Sequence, residues 1–241
     1  MRDKKRLTSL QKQTRKKIIE LSHELRFSHI GSCLSAIDII DAIYQIKKRE
    51  DRFVLSSGHA AIALYVILEK NKLIESSAIK KLRIHPDRNI NLGIDVSSGS
   101  LGQGLPIALG MALANKKKRV FCVVTDGECA EGSIWESLKI IYENNITNLI
   151  LIVNANGWGA YDPISLPVLL KRIKGFCPNV IKTDGHNINK LLLAIKSASK
   201  NGPSVVFANT TVEHFPFLTG QDAHYYVMNE KDCKLALRML E

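Results

Sequence analysis

The chain has no apolar run approaching the about 18 to 20 residues that a membrane-spanning helix needs, so no membrane partner is expected. Met1 is followed by charged and polar residues, with no apolar segment of the kind that drives secretion. Its five cysteines (Cys33, Cys122, Cys129, Cys177, Cys233) are odd in number, widely spaced and without a CxxC pair, which argues against both a disulfide framework and a structural zinc site. A cytoplasmic protein with reduced thiols is the expectation. No Pro/Ser-rich linker and no internal repeat divides the sequence, so residues 1–241 read as a single domain.

What is present is an ordinary globular composition, 45% hydrophobic and 24% charged, which excludes a fibre or a disordered tail. The net charge of +11 calls for an anionic partner or none at all. Its densest runs, 1–6, 15–17 and 116–119, are short and carry no interleaved aromatics, so they read as solvated surface and no nucleic acid is expected.

Three runs, 120–124, 149–153 and 204–208, are apolar throughout instead of alternating, as strands buried on both faces of a parallel sheet should be. Helical patterns surround them. Residues 7–25 form an amphipathic stretch, and 104–115 and 133–143 read as helices, as does 187–199 with Asn187 as its cap. A further helix is expected to start at Ser35 as N-cap, with Asp38 completing a capping box. Strand and helix in alternation predict an α/β fold, a doubly wound and mainly parallel sheet with helices on both faces. Ligands of such sheets bind at the carboxyl ends of the strands, here the loops after Val124 and Val153.

Those two loops carry Thr125-Asp126-Gly127 and Asn154-Ala155-Asn156-Gly157. Taken singly, Asp-Gly and Asn-Gly are turns. Together, one strand–helix–strand unit apart and with a helix N-terminus just past Asp126, they offer oxygen ligands to Mg2+ and N–H groups to phosphate. The pair resembles the thiamine diphosphate signature of transketolases and their relatives, Gly-Asp-Gly followed about thirty residues later by Asn.

The resemblance covers residues from about 8 to 190. Ser28-His29-Ile30-Gly31-Ser32-Cys33-Leu34-Ser35 is similar to the family's first histidine loop, Asp51 to Ala60 around His59 to its second, and His85-Pro86-Asp87 to its third. Ser98-Gly99-Ser100-Leu101-Gly102-Gln103-Gly104 resembles the loop that meets the cofactor's aminopyrimidine, and Asp184-Gly185-His186 a later landmark.

The resemblance implies a pyrophosphate-binding module of the thiamine diphosphate fold. Asp126, Asn156 and the carbonyl of Trp158 would hold Mg2+. Gly127 and His59 would lie beside the diphosphate or thiazolium, and Gly99 and Leu101 would meet the pyrimidine. His29 and His85 would stand near substrate hydroxyls, and Glu131 would be the carboxylate linking two active sites of a dimer. His224 in Asp222-Ala223-His224-Tyr225 matches the family's late histidine weakly and stays outside this set, while His23, His186 and His214 read as structural. Cys33 and Cys129 read as packing.

The sequence departs from the family at Thr125 for the first Gly, at Asn154 for Asp, and at Thr211-Val212-Glu213-His214-Phe215-Pro216 for Thr-Val-Lys-Gly-Lys-Gly. The family's pyrimidine-binding domain, which supplies a glutamate to the cofactor, has no place in these 241 residues. The expectation is therefore the N-terminal subunit of a two-subunit, α2β2 transketolase-like enzyme, active with a separately encoded C-terminal subunit. It would move a two-carbon ketol unit between phosphorylated or nucleotide-activated sugars. The alternatives are another carboligase or 2-oxo acid dehydrogenase subunit, or a non-catalytic binding protein that kept the fold.

Overall fold

Apolar residues at every position of a strand need a core on each side, and two cores are found. Phe121, Val123, Ile150, Ile152 and Val206 face one, and Val120, Cys122, Val124, Leu151, Val153 and Phe207 face the other. In the computed structural model, which describes residues 7–198 and 202–241, the strands are β1 (Arg52–Leu55), β2 (Val120–Thr125), β3 (Leu149–Ala155), β4 (Val180–Asp184) and β5 (Val205–Asn209). They form one sheet in the order β1-β2-β3-β5-β4, with every pairing parallel.

The helices are α1 (Ser9–Glu24), α2 (Ile30–Ile46), α3 (Ala61–Lys70), α4 (Ser76–Ile79), α5 (Gly104–Ala114), α6 (Gly132–Glu143), α7 (Leu166–Phe176), α8 (Ile188–Ala198), α9 (Asp222–Tyr225) and α10 (Glu230–Met239). Residues of α1, α2, α3, α8 and α10 build the first core, and residues of α5, α6 and α7 the second. The sheet is thus covered on both faces, as expected, and is parallel throughout its described strands. Asn187 caps α8 by accepting the Lys190 N–H at 3.0 Å. Ser199, placed at the end of that helix by its sequence pattern, lies outside the described residues, as does the basic run 1–6.

One expectation fails. α2 begins at Ile30, before Ser35, so Ser35 is no N-cap. Its hydroxyl donates to Ser32 O and accepts from Asn154 Nδ2, both at 2.9 Å. Asp38 is drawn away from a capping box by a stronger partner, the buried guanidinium of Arg15, at 3.1 and 2.5 Å. That arrangement also accounts for Asn154. The Ser35 proton is committed to Ser32, so the hydroxyl needs a donor, which an aspartate would lack. Asn154 Oδ1 in turn accepts from Thr210 Oγ1 at 2.5 Å.

The pairing Thr125↔Asn154 and Ala155↔Asn209 brings the ends of β2, β3 and β5 level. The loops that leave these ends, together with the turn after β1, share one edge of the sheet.

Candidate active site

Asp126 and Asn156 come directly after β2 and β3 and so stand side by side. The Asp126 carboxylate, in a residue 2% exposed, accepts the N–H groups of Gly127 at 3.1 Å and Gly157 at 2.6 Å. Gly157 makes this turn with φ of 90°, a conformation that a side chain would strain. Asn156 Oδ1 accepts the Trp158 N–H at 2.9 Å, and a Cβ on Gly127 would lie 3.7 Å from the Trp158 carbonyl oxygen. Burial pushes the Asp126 carboxyl up to about 7, against the pull of its N–H donors. Among the described residues it has no Lys, Arg or His as an ion-pair partner. A buried carboxylate with that deficit suits a cation, and the oxygens around it suit a hard one such as Mg2+. No group of three or more His, Cys, Asp or Glu able to hold a metal occurs among the described residues, so further oxygens, such as those of a diphosphate, would have to complete the shell.

The loop 98–104 closes over this corner. Gly99 has φ of 147°, and a Cβ there would lie 2.8 Å from His85 Cδ2, so loop and imidazole pack in contact. Leu101 lines a pocket with His59, Thr125, Gly127, Asn156 and Trp158. Leu101, Asp126 and Gly127 also border a cleft of about 420 Å3 that reaches Glu131 and Arg172. The loop is held from below by Glu128, a residue that no sequence motif marks. Its buried carboxylate accepts the N–H groups of Gly102 at 3.1 Å and Thr125 at 3.0 Å and the Ser56 hydroxyl, joining the ends of β1 and β2 to the loop. Thr125 finds use for its side chain in the same turn, its hydroxyl accepting the Glu128 N–H at 3.3 Å. Glu131 is exposed in the single chain.

The three expected histidines come together, and a fourth joins them. Ring centroids of His29 lie 5.4 Å from His59, 6.2 Å from His85 and 4.6 Å from His224, with His59 and His224 5.2 Å apart. His29 has φ of 65°, and its N–H donates to the His224 carbonyl at 3.1 Å. The segment that carries His224 is long and irregular, which is why its short motif gives so weak a signal. His23 takes no part. His186 and His214 meet in a separate buried network, their rings 4.9 Å apart. The five cysteines are buried and free, and burial raises the Cys33 thiol to about 12, consistent with packing.

Burial, then the neighbouring charges of His224, His29 and His85, lowers His59 to about 3. Burial and the nearness of His224 and His85 lower His29 to about 4. Both rings are therefore neutral at physiological pH. Between the ordinary value of 6.5 and about 3, the unfolded chain protonates at His59 and the folded chain does not. Stability is thus expected to fall as pH drops through this window and to be unaffected by this group above it. Its share is about tenfold in the folding constant per pH unit. Asp126 contributes with the opposite sign over this window and His29 with the same sign, so the test is the comparison of variants: in thermal melts between pH 7.5 and 5, His59→Gln should lose less stability on acidification than the parent, and an identical slope would contradict the assignment.

No helix of the described residues is long and apolar enough to cross a membrane. Against known proteins, mouse transketolase-like protein 2 is 35% identical over 210 residues, covering 76% of this chain and 33% of that protein. The chain thus spans about a third of the length of such relatives. A protein of Actinobacillus succinogenes named as one of the subunits of apulose-4-phosphate transketolase is 29% identical, with 95% of this chain and 94% of that protein covered. The transketolase structure from Campylobacter jejuni superposes with a TM-score of 0.83 at 24% identity, over 96% of this chain and 42% of that one, which shows the shared fold. The transketolase thiamine diphosphate binding domain matches residues 23–239, most of the sequence. The chain therefore belongs to the transketolase family, with the thiamine diphosphate binding domain as its matching part.

Proposed function

We propose that this chain is the diphosphate-binding subunit of a two-subunit transketolase-type enzyme that transfers a two-carbon ketol unit between sugars. The observation that carries the proposal is the buried Asp126 carboxylate, without a cationic partner, next to Asn156, whose pocket His59 and His224 also line. Asp126, Asn156 and the Trp158 carbonyl would hold Mg2+, and Gly127 and His59 would border the cofactor. Gly99 and Leu101 would meet the pyrimidine through the loop that Glu128 holds. Thiamine diphosphate, when bound, supplies the carbon nucleophile that attacks a ketose carbonyl.

The chain's own part is to bind and to move protons. Neutral imidazoles at His29, His59 and His224, with His85 exposed at the mouth, can each accept or donate at a ring nitrogen to a sugar hydroxyl. Hydroxylated substrates call for such a cluster and 2-oxo acids do not, which favours ketol transfer over decarboxylation. Glu131, exposed in the single chain, would be covered only by another subunit.

A separately encoded subunit with the pyrimidine-binding and C-terminal domains, in an α2β2 assembly, would complete the site. The near-complete coverage of a relative that is itself named as one subunit of a transketolase supports this division. The free, buried cysteines suit action in the cytoplasm. Purified chain supplied with thiamine diphosphate, Mg2+, a ketose donor and an aldose acceptor is expected to show no turnover until the second subunit is added. Full ketol transfer by the chain alone would contradict the two-subunit reading.

A further inference from the structure

Away from the imidazole cluster, α1, α2, the turn after β4 and the chain leaving β5 meet in a buried polar knot. Arg15 and Asp38, with side chains 1% and 2% exposed, form a paired hydrogen bond between α1 and α2. Gln11 Nε2 donates to Asp38 Oδ1 at 3.0 Å and to the His186 carbonyl at 2.9 Å. His186 Nδ1 lies 2.9 Å from Asp38 Oδ2, and His186 Nε2 accepts the Thr211 N–H at 3.1 Å.

These partners allow one tautomer. A backbone N–H can only donate, so Nε2 must present its lone pair; Nδ1 faces Asp38 Oδ2 at 2.9 Å and the donor-only Arg15 Nη2 at 3.4 Å, and the shorter contact, to the carboxylate, takes the ring proton on Nδ1. Burial pushes the Asp38 carboxyl upward, but His186 and Arg15 outweigh it and hold the group well below the usual carboxylate range, so it is always ready to accept. The His214 ring packs edge-on against His186, and burial holds it well below the ordinary imidazole range, so it is neutral there.

Thr211 matters because of the segment it leads into. Residues 211–224 contain no strand and only the start of the one-turn helix α9, so point contacts set their path. Val212 and Ala223 close on Gly31, their Cβ atoms each 3.1 Å from where a Gly31 Cβ would be. Gln221 Nε2 reaches the Ala160 carbonyl at 3.2 Å, and His29 N–H fastens the His224 carbonyl. With Thr210 held on β3 by its N–H to the Ala155 carbonyl at 2.9 Å, the Thr211–His186 bond is the next fixed point, the one that sets the direction in which this strap departs.

We infer that His186, oriented by Asp38 and Arg15, is a positioning residue for His224: it pins the start of the 211–224 strap and so sets where the fourth imidazole stands against His29 and His59. The inference rests on the proposed function, in which that cluster receives the sugar. His186 itself touches no substrate; it acts through the strap. An imidazole is suited to the task because it is the one neutral side chain that can take a carboxylate on one ring nitrogen and a backbone N–H on the other along a rigid line.

The test has two readouts. In the two-subunit enzyme, His186→Ala is expected to lower kcat/KM about 10- to 100-fold, since small misplacements of a reacting group have effects of that size. His186→Gln, which keeps one donor and one acceptor, should recover most of it. His224→Ala should lower kcat/KM similarly, and the double variant should be no worse than His224→Ala alone, because both changes remove one function. Independently of turnover, nitrogen-15 histidine spectra of the chain should show His186 with Nε2 unprotonated. The His224 signals should move in His186→Ala and return in His186→Gln. His186→Phe, which keeps the ring volume, gives the same reading if His186→Ala does not fold. Additive losses in the double variant, or His224 signals that stay in place, would overturn the inference. Signals that move in a protein without any ketol transfer would uphold the positioning role and overturn the functional reading on which it rests.

Discussion

Asp126→Asn is expected to abolish Mg2+-dependent thiamine diphosphate binding while leaving the cofactor-free protein folded. The substitution keeps the size of the side chain and removes its charge. In the absence of a cation that charge is a burden, since burial pushes the carboxyl up to about 7 even against the pull of its N–H donors. Its loss relieves that burden in the empty fold, and against this relief stands the amide NH2 that would face the Gly127 or Gly157 N–H in place of an acceptor. With the metal present the balance reverses. Removing an outer partner of a metal ligand costs about 10- to 100-fold in affinity, and removing the ligand should cost at least the upper figure. A saturating cofactor at about 100 times its Kd should raise the stability of the parent chain by about 2.7 kcal/mol, and this gain should vanish in the variant. Thermal melts with and without Mg2+ and cofactor read both quantities, and an unchanged cofactor-induced shift would remove Asp126 from the metal site.

Gly58→Ala has the second large effect, by a steric route. A Cβ at Gly58 would lie 2.4 Å from the carbonyl carbon and oxygen of Ser98 and 2.6 Å from the Gly99 nitrogen, and backbone cannot rotate away as a side chain can. Either the 98–104 loop or the turn carrying His59 must move. Overpacking of this kind costs about 1–3 kcal/mol or more, which in a chain of this size is about 2–4 °C in Tm for each kcal/mol. Cofactor affinity should fall as well, because the displaced loop is the one expected to meet the pyrimidine. Gly110→Ala provides the contrast: its Cβ would have nothing within 4 Å, inside α5, and should stabilise by up to about 1 kcal/mol. Equal behaviour of the two variants would contradict the packing argument.

The parts of this fold that the sequence announces are those where chemistry leaves few options. β2, β3 and β5 are buried on both faces and so apolar at nearly every position, and the Asp126 and Asn156 loops sit where strand ends must be. β4 escapes detection because it lies at the sheet edge, where Lys182 can point to solvent and the apolar run is broken. β1 is four residues long and reads as part of the His59 motif. The start of α2 is misplaced because Ser35 and Asp38 have the spacing of a cap, while their actual partners, Asn154 and Arg15, are far away in the chain. His224 and Glu128 share that cause. Each is defined by long-range hydrogen bonds and neighbours, to His29 for one and to Gly102 and Ser56 for the other, which no local pattern encodes.

The central claim is that a diphosphate cofactor and its metal sit at the ends of β2 and β3. Crystals of the chain grown with thiamine diphosphate and Mn2+ in place of Mg2+ test it most directly, because Mn2+ scatters anomalously. The account predicts one strong anomalous peak bonded to an Asp126 carboxylate oxygen, Asn156 Oδ1 and the Trp158 carbonyl, with diphosphate oxygens completing the shell. A cofactor bound with its metal elsewhere, or bound at full occupancy with no metal at Asp126, would contradict it.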